Sequence, residues 1–111
     1  MEREIIYVGD PMCSWCWGFS PVLQKIVAQY GETAPMRLVV GGLHAFDTDP
    51  MNDEYKARIK HHWEQVAEAT GQPFNYAFFE RDSFVLDTEP ACRASVVVRK
   101  LKPDALLSFY E

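Results

Sequence analysis

The sequence is short of positive charge, short of cysteine and free of long apolar runs, and each shortage closes off a class of function. Its 111 residues carry 11 Lys and Arg against 16 Asp and Glu, a formal net charge of −5. Nucleic acid and anionic membrane surfaces call for a cationic face, so neither is expected as the main partner. No stretch approaches the roughly 18 apolar residues that a membrane-spanning helix needs. The opening Met-Glu-Arg-Glu is charged and only five apolar-leaning residues follow it, so the n-region and h-region of a secretory signal are missing and a cytoplasmic protein is expected. Three cysteines cannot supply the two ligand pairs of a structural zinc site, and His44, His61 and His62 are too scattered to complete one, so no metal is expected. Gly41-Gly42 holds too few glycines for a phosphate cradle and reads as a plain turn.

What is present is one domain's worth of chain, by the prior of about 100–200 residues per domain, with 48% hydrophobic residues to build a core. Aromatics make up 14% of it and several gather between residues 12 and 19, in the stretch Asp-Pro-Met-Cys-Ser-Trp-Cys-Trp-Gly-Phe. There Cys13 and Cys16 stand three apart, directly after a strand-like run and where a helix should begin. On a helix such positions share a face, with Cβ atoms roughly 5–6 Å apart, and a small rotation closes that gap to disulfide distance. A thiolate at a helix N-terminus faces unpaired N–H groups and the positive end of the dipole, which lowers its pKa. Cys13 is the candidate nucleophile on that ground, and Cys16, one turn inward, the candidate resolving thiol that attacks a mixed disulfide on Cys13. Half a zinc site and an idle pair are the alternatives. Three cysteines in a reducing compartment favour a catalytic or sensing pair over a structural staple.

Residues 4–8 are β-rich and end at Gly9-Asp10-Pro11, which predicts a buried first strand. From Ser14 to Tyr30 the apolar positions Phe19, Val22, Leu23, Ile26 and Val27 follow helical spacing, with Gly31 as the stop and Pro21 inside as a bend or a divider. Met36 to Gly41 is a second apolar strand, read as buried on both faces like a parallel strand. Strand, helix and strand make a βαβ unit over residues 1–42, with Cys13 at the carboxyl end of the strands, where open α/β sheets bind ligands. Asp49-Pro50 predicts a capped helix start, with Tyr55, Ile59, His62, Trp63 and Val66 on one face and a stop at Gly71. Residues 72–86 read as an irregular, aromatic-rich connection that packs rather than recognises. Asp87-Thr88-Glu89-Pro90 opens a helix to about Leu101 in which Cys92 is a buried, inert thiol, and Pro103-Asp104 opens another that the chain ends within.

The Asp10–Phe19 stretch, Gly41-Gly42-Leu43 after the second strand and Asp87-Thr88-Glu89-Pro90-Ala91-Cys92-Arg93-Ala94 together resemble the DsbA-family thioredoxin-like proteins, and within them the cytoplasmic FrnE-like branch of protein-disulfide isomerases. The resemblance covers essentially all 111 residues. It implies an α/β fold that is the first part of a thioredoxin-like domain, with residues 49–111 as a helical insertion and the later strands and cis-proline loop absent. It implies a thiol–disulfide oxidoreductase acting on protein or small-molecule disulfides, with Cys13 as nucleophile, Cys16 as resolving cysteine and no cofactor beyond the dithiol. Met12, Trp15, Trp17 and Phe19 are expected to flank the sulfur as an apolar substrate platform. A two-stranded sheet leaves open edges, so pairing with a second chain is expected. A non-catalytic interaction or dimerisation module is the rival reading. A glutathione-using isomerase or transferase is disfavoured, because those relatives carry serine at the nucleophile position.

Overall fold

The computed structural model describes residues 2–111. Strand β1 (Ile5–Gly9) leads through a tight turn into helix α1 (Ser14–Tyr30), which returns to strand β2 (Met36–Val40). The strands pair in parallel, Ile5 opposite Met36 and Gly9 opposite Val40. Helix α2 (Asp53–Thr70) follows a loop, then a 3₁₀ turn (Tyr76–Glu80), helix α3 (Glu89–Leu101), a second 3₁₀ turn (Pro103–Ala105) and the short helix α4 (Leu106–Tyr110).

The sheet is covered on one face only. Leu38, Leu106 and Tyr110 form a buried cluster, against which Tyr7, Cys16, Met36 and Val98 pack. On the other face Ile6 is 52% and Val8 63% exposed, and Arg37 of β2 is also exposed. The expectations of a buried first strand and of a second strand buried on both faces therefore fail. Alternation puts Tyr7 and Leu38 inward and their neighbours outward, where Ile6, Val8 and Arg37 are exposed and Val39 is half-buried.

Helix α1 spans the length expected of it, and Pro21 does not divide it. Pro21 has no N–H to give the Trp17 carbonyl four residues back. The Gln72 side chain fills that role instead, its Nε2 donating to the Trp17 oxygen at 3.1 Å. Gly31 caps the end in right-handed rather than left-handed conformation, its N–H returning to Val27. Helix α1 packs against α2 at Gly18, where a Cβ would lie 2.6 Å from Cγ1 of the fully buried Val66. Only glycine allows that approach.

Helix α2 starts three residues later than Asp49-Pro50 suggests. Asn52 is its cap and accepts from the Tyr55 N–H at 2.8 Å, while Pro50 is drawn into an isolated antiparallel bridge with Val85. Left-handed Gly71 ends the helix. The connection after it is more ordered than expected, because its aromatics close around Trp63, with ring centroids 5.0 Å away for Phe74, 5.4 Å for Phe78 and 4.7 Å for Phe79. At the start of α3, Asp87 accepts from the N–H groups of Phe46 and Glu89, and buried Thr88 accepts from the His44 N–H at 3.0 Å. The loop after β2 is thereby tied to α3.

Candidate functional site

Cys13 is the N-cap residue of α1 and Cys16 lies in its first turn. The turn that delivers them is built on Asp10, which is 3% exposed. Its carboxylate accepts from the Met12 N–H at 2.8 Å and the Leu43 N–H at 2.9 Å, and from the Cys92 thiol at 3.4 Å, while its carbonyl accepts from the Cys13 N–H at 3.1 Å. One buried side chain thus joins the dithiol turn, the loop after β2 and helix α3. Reading Asp10 as a turn residue missed that role; its place before Pro11 and three residues ahead of Cys13 was the available signal. Burial raises the Cys92 pKa, so this thiol stays protonated and donates.

Cys13 and Cys16 are both free thiols, lying 3.4 Å apart. Cys13 S–H donates to the Cys16 sulfur, and this donation, reinforced by the Asp10 N–H and the hydroxyls of Tyr110 and Tyr7, pulls Cys16 down to about 5 against the cost of burial. The same donation, with burial, raises Cys13. The backbone N–H groups of Cys16 and Trp15 at the helix start also lower Cys13, as a helix terminus should, while its hydrogen bond to Cys16 and burial act against them. Burial beside that sulfur pushes Tyr7 up to about 12 and Tyr110 up as well. The Tyr110 hydroxyl is buried, faces Cys16 and Tyr7, and has no well-formed hydrogen bond.

The two sulfurs face different surroundings. Cys13 opens onto a cavity of about 820 Å³ between the dithiol turn, the loop after β2, helix α2 and the aromatic connection. Cys16 faces inward, onto a pocket of about 20 Å³ shared with Tyr110, Ser20 and Asp10. Of the expected platform, Met12, Trp15 and Trp17 line the large cavity. Phe19 does not; it lies on the next turn, stacked on Tyr7 with ring centroids 5.9 Å apart. Trp17 is held from both ends, since its indole donates to the Pro73 carbonyl at 2.9 Å as its own carbonyl receives Gln72. The far wall comes from residues that sequence spacing assigned to packing, notably Trp63, Phe74 and Phe78, with Arg58 and His62 at its polar margin. Among the described residues, no group of three or more His, Cys, Asp or Glu side chains gathers in a way that could hold a metal ion.

No protein-family model matches the chain. It is 39% identical, with a TM-score of 0.85, to the crystal structure of a candidate protein disulfide isomerase from Nitrosomonas europaea, over 99% of this chain and 52% of that one. It is 28% identical, with a TM-score of 0.75, to the cytosolic disulfide reductase DsbM of Pseudomonas aeruginosa, over 95% and 49%; a second structure of DsbM contains glutathione. Among curated proteins it is 33% identical to the ClpXP adapter protein SpxH of Halalkalibacterium halodurans over 76 residues, 63% of this chain and 24% of that protein. The chain thus spans about half the length of these solved structures and about a quarter of that adapter. Over nearly all of its own length, then, the chain has the fold of DsbA-like thioredoxin proteins.

Proposed function

We propose that the chain is a thiol–disulfide oxidoreductase in which Cys13 exchanges with disulfides entering the large cavity and Cys16 resolves the product. One observation carries this: two reduced cysteines 3.4 Å apart at a helix N-terminus, one opening onto a cavity and the other turned inward. The disulfide reductase and isomerase neighbours support the class of reaction. At rest the negative charge lies on Cys16, which takes the Cys13 proton along the line between the sulfurs. The Cys13 thiolate then attacks the substrate disulfide, one S–S bond forming as another breaks, and a thiolate leaves with the electron pair. Cys16, giving its proton to that thiolate or to water, attacks Cys13 and releases the second thiol. The dithiol is oxidised by two electrons and the substrate reduced by two; run backwards, the same steps oxidise a dithiol substrate. Glutathione is a suitable reductant for the resulting disulfide, by analogy with the glutathione-bound neighbour.

A Cys16→Ser variant keeps the attacking sulfur but cannot resolve. With 5,5′-dithiobis(2-nitrobenzoate) it is expected to hold one thionitrobenzoate per chain on Cys13, while the Cys13→Ser protein holds none there. Labelling that favours Cys16 in the intact dithiol would reverse the roles.

A second reading has its own support. SpxH is an adapter, and the outer sheet face at Ile6 and Val8 is open for a partner. In this reading the chain works by association, as a homo-oligomer or an interaction module. A cytoplasmic location suits both readings, since one neighbour is cytosolic and no helix among the described residues is long and apolar enough to cross a membrane.

A further inference from the structure

The cavity beside Cys13 has a chemical bias that the dithiol alone does not require. Its volume of about 820 Å³ lies within the roughly 300–1,000 Å³ of small-molecule sites. Three tryptophans, Trp15, Trp17 and Trp63, line it, and aromatic faces of this kind favour flat apolar rings. Although 16 of the chain's residues are Asp or Glu, none is among the residues lining the cavity. Its charged and titratable lining groups besides Cys13 and Tyr55 are Arg58, His44 and His62. His44 is paired with Asp47 at 3.2 Å. Arg58 has no carboxylate within ion-pair distance among the described residues, and its guanidinium lies 5.0 Å from the Tyr55 ring, which holds it at the margin. An acidic protein thus keeps one concave surface free of acid and places an unpaired cation on it.

We infer that this cavity takes small aromatic disulfides carrying an anionic group, with the ring among the tryptophans, the anion at Arg58 and the S–S bond at Cys13. The inference names a substrate class for the oxidoreductase reading and rests on it. The exchange balances as described above: Cys13 bonds to one aryl sulfur, the other aryl thiolate leaves, and Cys16 releases the first.

The test has a kinetic and a binding arm. Rates of reaction of the reduced protein with 5,5′-dithiobis(2-nitrobenzoate), 4,4′-dithiodipyridine and glutathione disulfide are each divided by the rate of free 2-mercaptoethanol with the same reagent. The anionic aryl disulfide is expected to show the largest ratio. Arg58→Gln should lower that ratio about fivefold, on the scale of one partly exposed charge interaction, and leave the neutral aryl reagent within about twofold. Arg58→Lys should restore most of the loss. In the second arm, calorimetric titration of the Cys13→Ser protein with 2-naphthoate, which has no disulfide, should show binding that Arg58→Gln weakens by a similar factor. Equal ratios for the three reagents, or an Arg58→Gln effect that is the same on all of them, would overturn the inference. So would absence of naphthoate binding. Naphthoate binding without any disulfide exchange would instead leave the cavity assignment standing and remove the oxidoreductase reading.

Discussion

Cys13 and Cys16 divide access and acidity between them. Cys13 meets the cavity, whereas the groups that lower a thiol's pKa, the Cys13 S–H, the Asp10 N–H and two tyrosine hydroxyls, converge on Cys16. Because the Cys13 donation is the largest cause of the low Cys16 value, removing it has a definite sign. In a Cys13→Ala protein, which has no donor at that position, the Cys16 titration, followed by thiolate absorbance, should move from about 5 upward toward the ordinary cysteine value of about 8.5. No movement would show that the backbone and tyrosines acidify Cys16 unaided. The lowered value also links to stability: Cys16 stabilises the reduced fold above about pH 8.5, and that contribution is lost as pH falls through about 5. Cys13 has the opposite sign, its contribution being present below its ordinary value and lost as pH rises. The dithiol spacing was legible in the sequence. The donors around Cys16 were not, because Tyr7 and Tyr110 come from distant positions and only folding sets them beside it.

At the scale of elements, helix boundaries were legible wherever a local signal decides them. Helix α1 from Ser14 to Tyr30 and helix α3 from Glu89 to Leu101 follow their apolar spacing, stops and first-turn chemistry. The start of α2 was misread because Pro50 is claimed by the bridge to Val85, a partner 35 residues away that spacing cannot show. Pro21 was read as a bend or a divider, and the helix runs through it undivided, because its missing hydrogen bond is local and the compensation is not. Gln72 supplies that compensation at Trp17, and the two can be tested together. Gln72→Leu should cost about 1 kcal/mol in urea unfolding, the worth of one hydrogen bond. In a Pro21→Ala background, where residue 21 can donate to the Trp17 carbonyl, the same change should cost close to nothing. Equal losses in both backgrounds would mean that Gln72 acts through packing alone.

The whole molecule is extended for its length. Its radius of gyration is 15.5 Å, against about 13 Å for a compact chain of this size, and its extents are 51 × 29 × 20 Å. The shape follows from a two-stranded sheet too small to gather the helices around it, with one face left open. That openness was partly legible, since two strands cannot enclose a core, but which residues would face outward depended on register. Ile6 and Val8 are those residues, and they predict association. Light scattering should give a mass above that of one chain, and Ile6→Ser with Val8→Ser should return it to one. A single-chain mass for the unaltered protein would exclude the homo-oligomer.

The reduction potential of the Cys13–Cys16 pair bears most directly on what the chain does. Equilibration against glutathione redox buffers, with alkylation and mass detection of reduced and oxidised forms, should show a reversible two-electron couple between roughly −270 and −120 mV, the span of working thioredoxin-like oxidoreductases. Cys13→Ser should abolish it. Failure to form the disulfide reversibly would contradict the oxidoreductase reading and leave the chain as an interaction module built on the same fold.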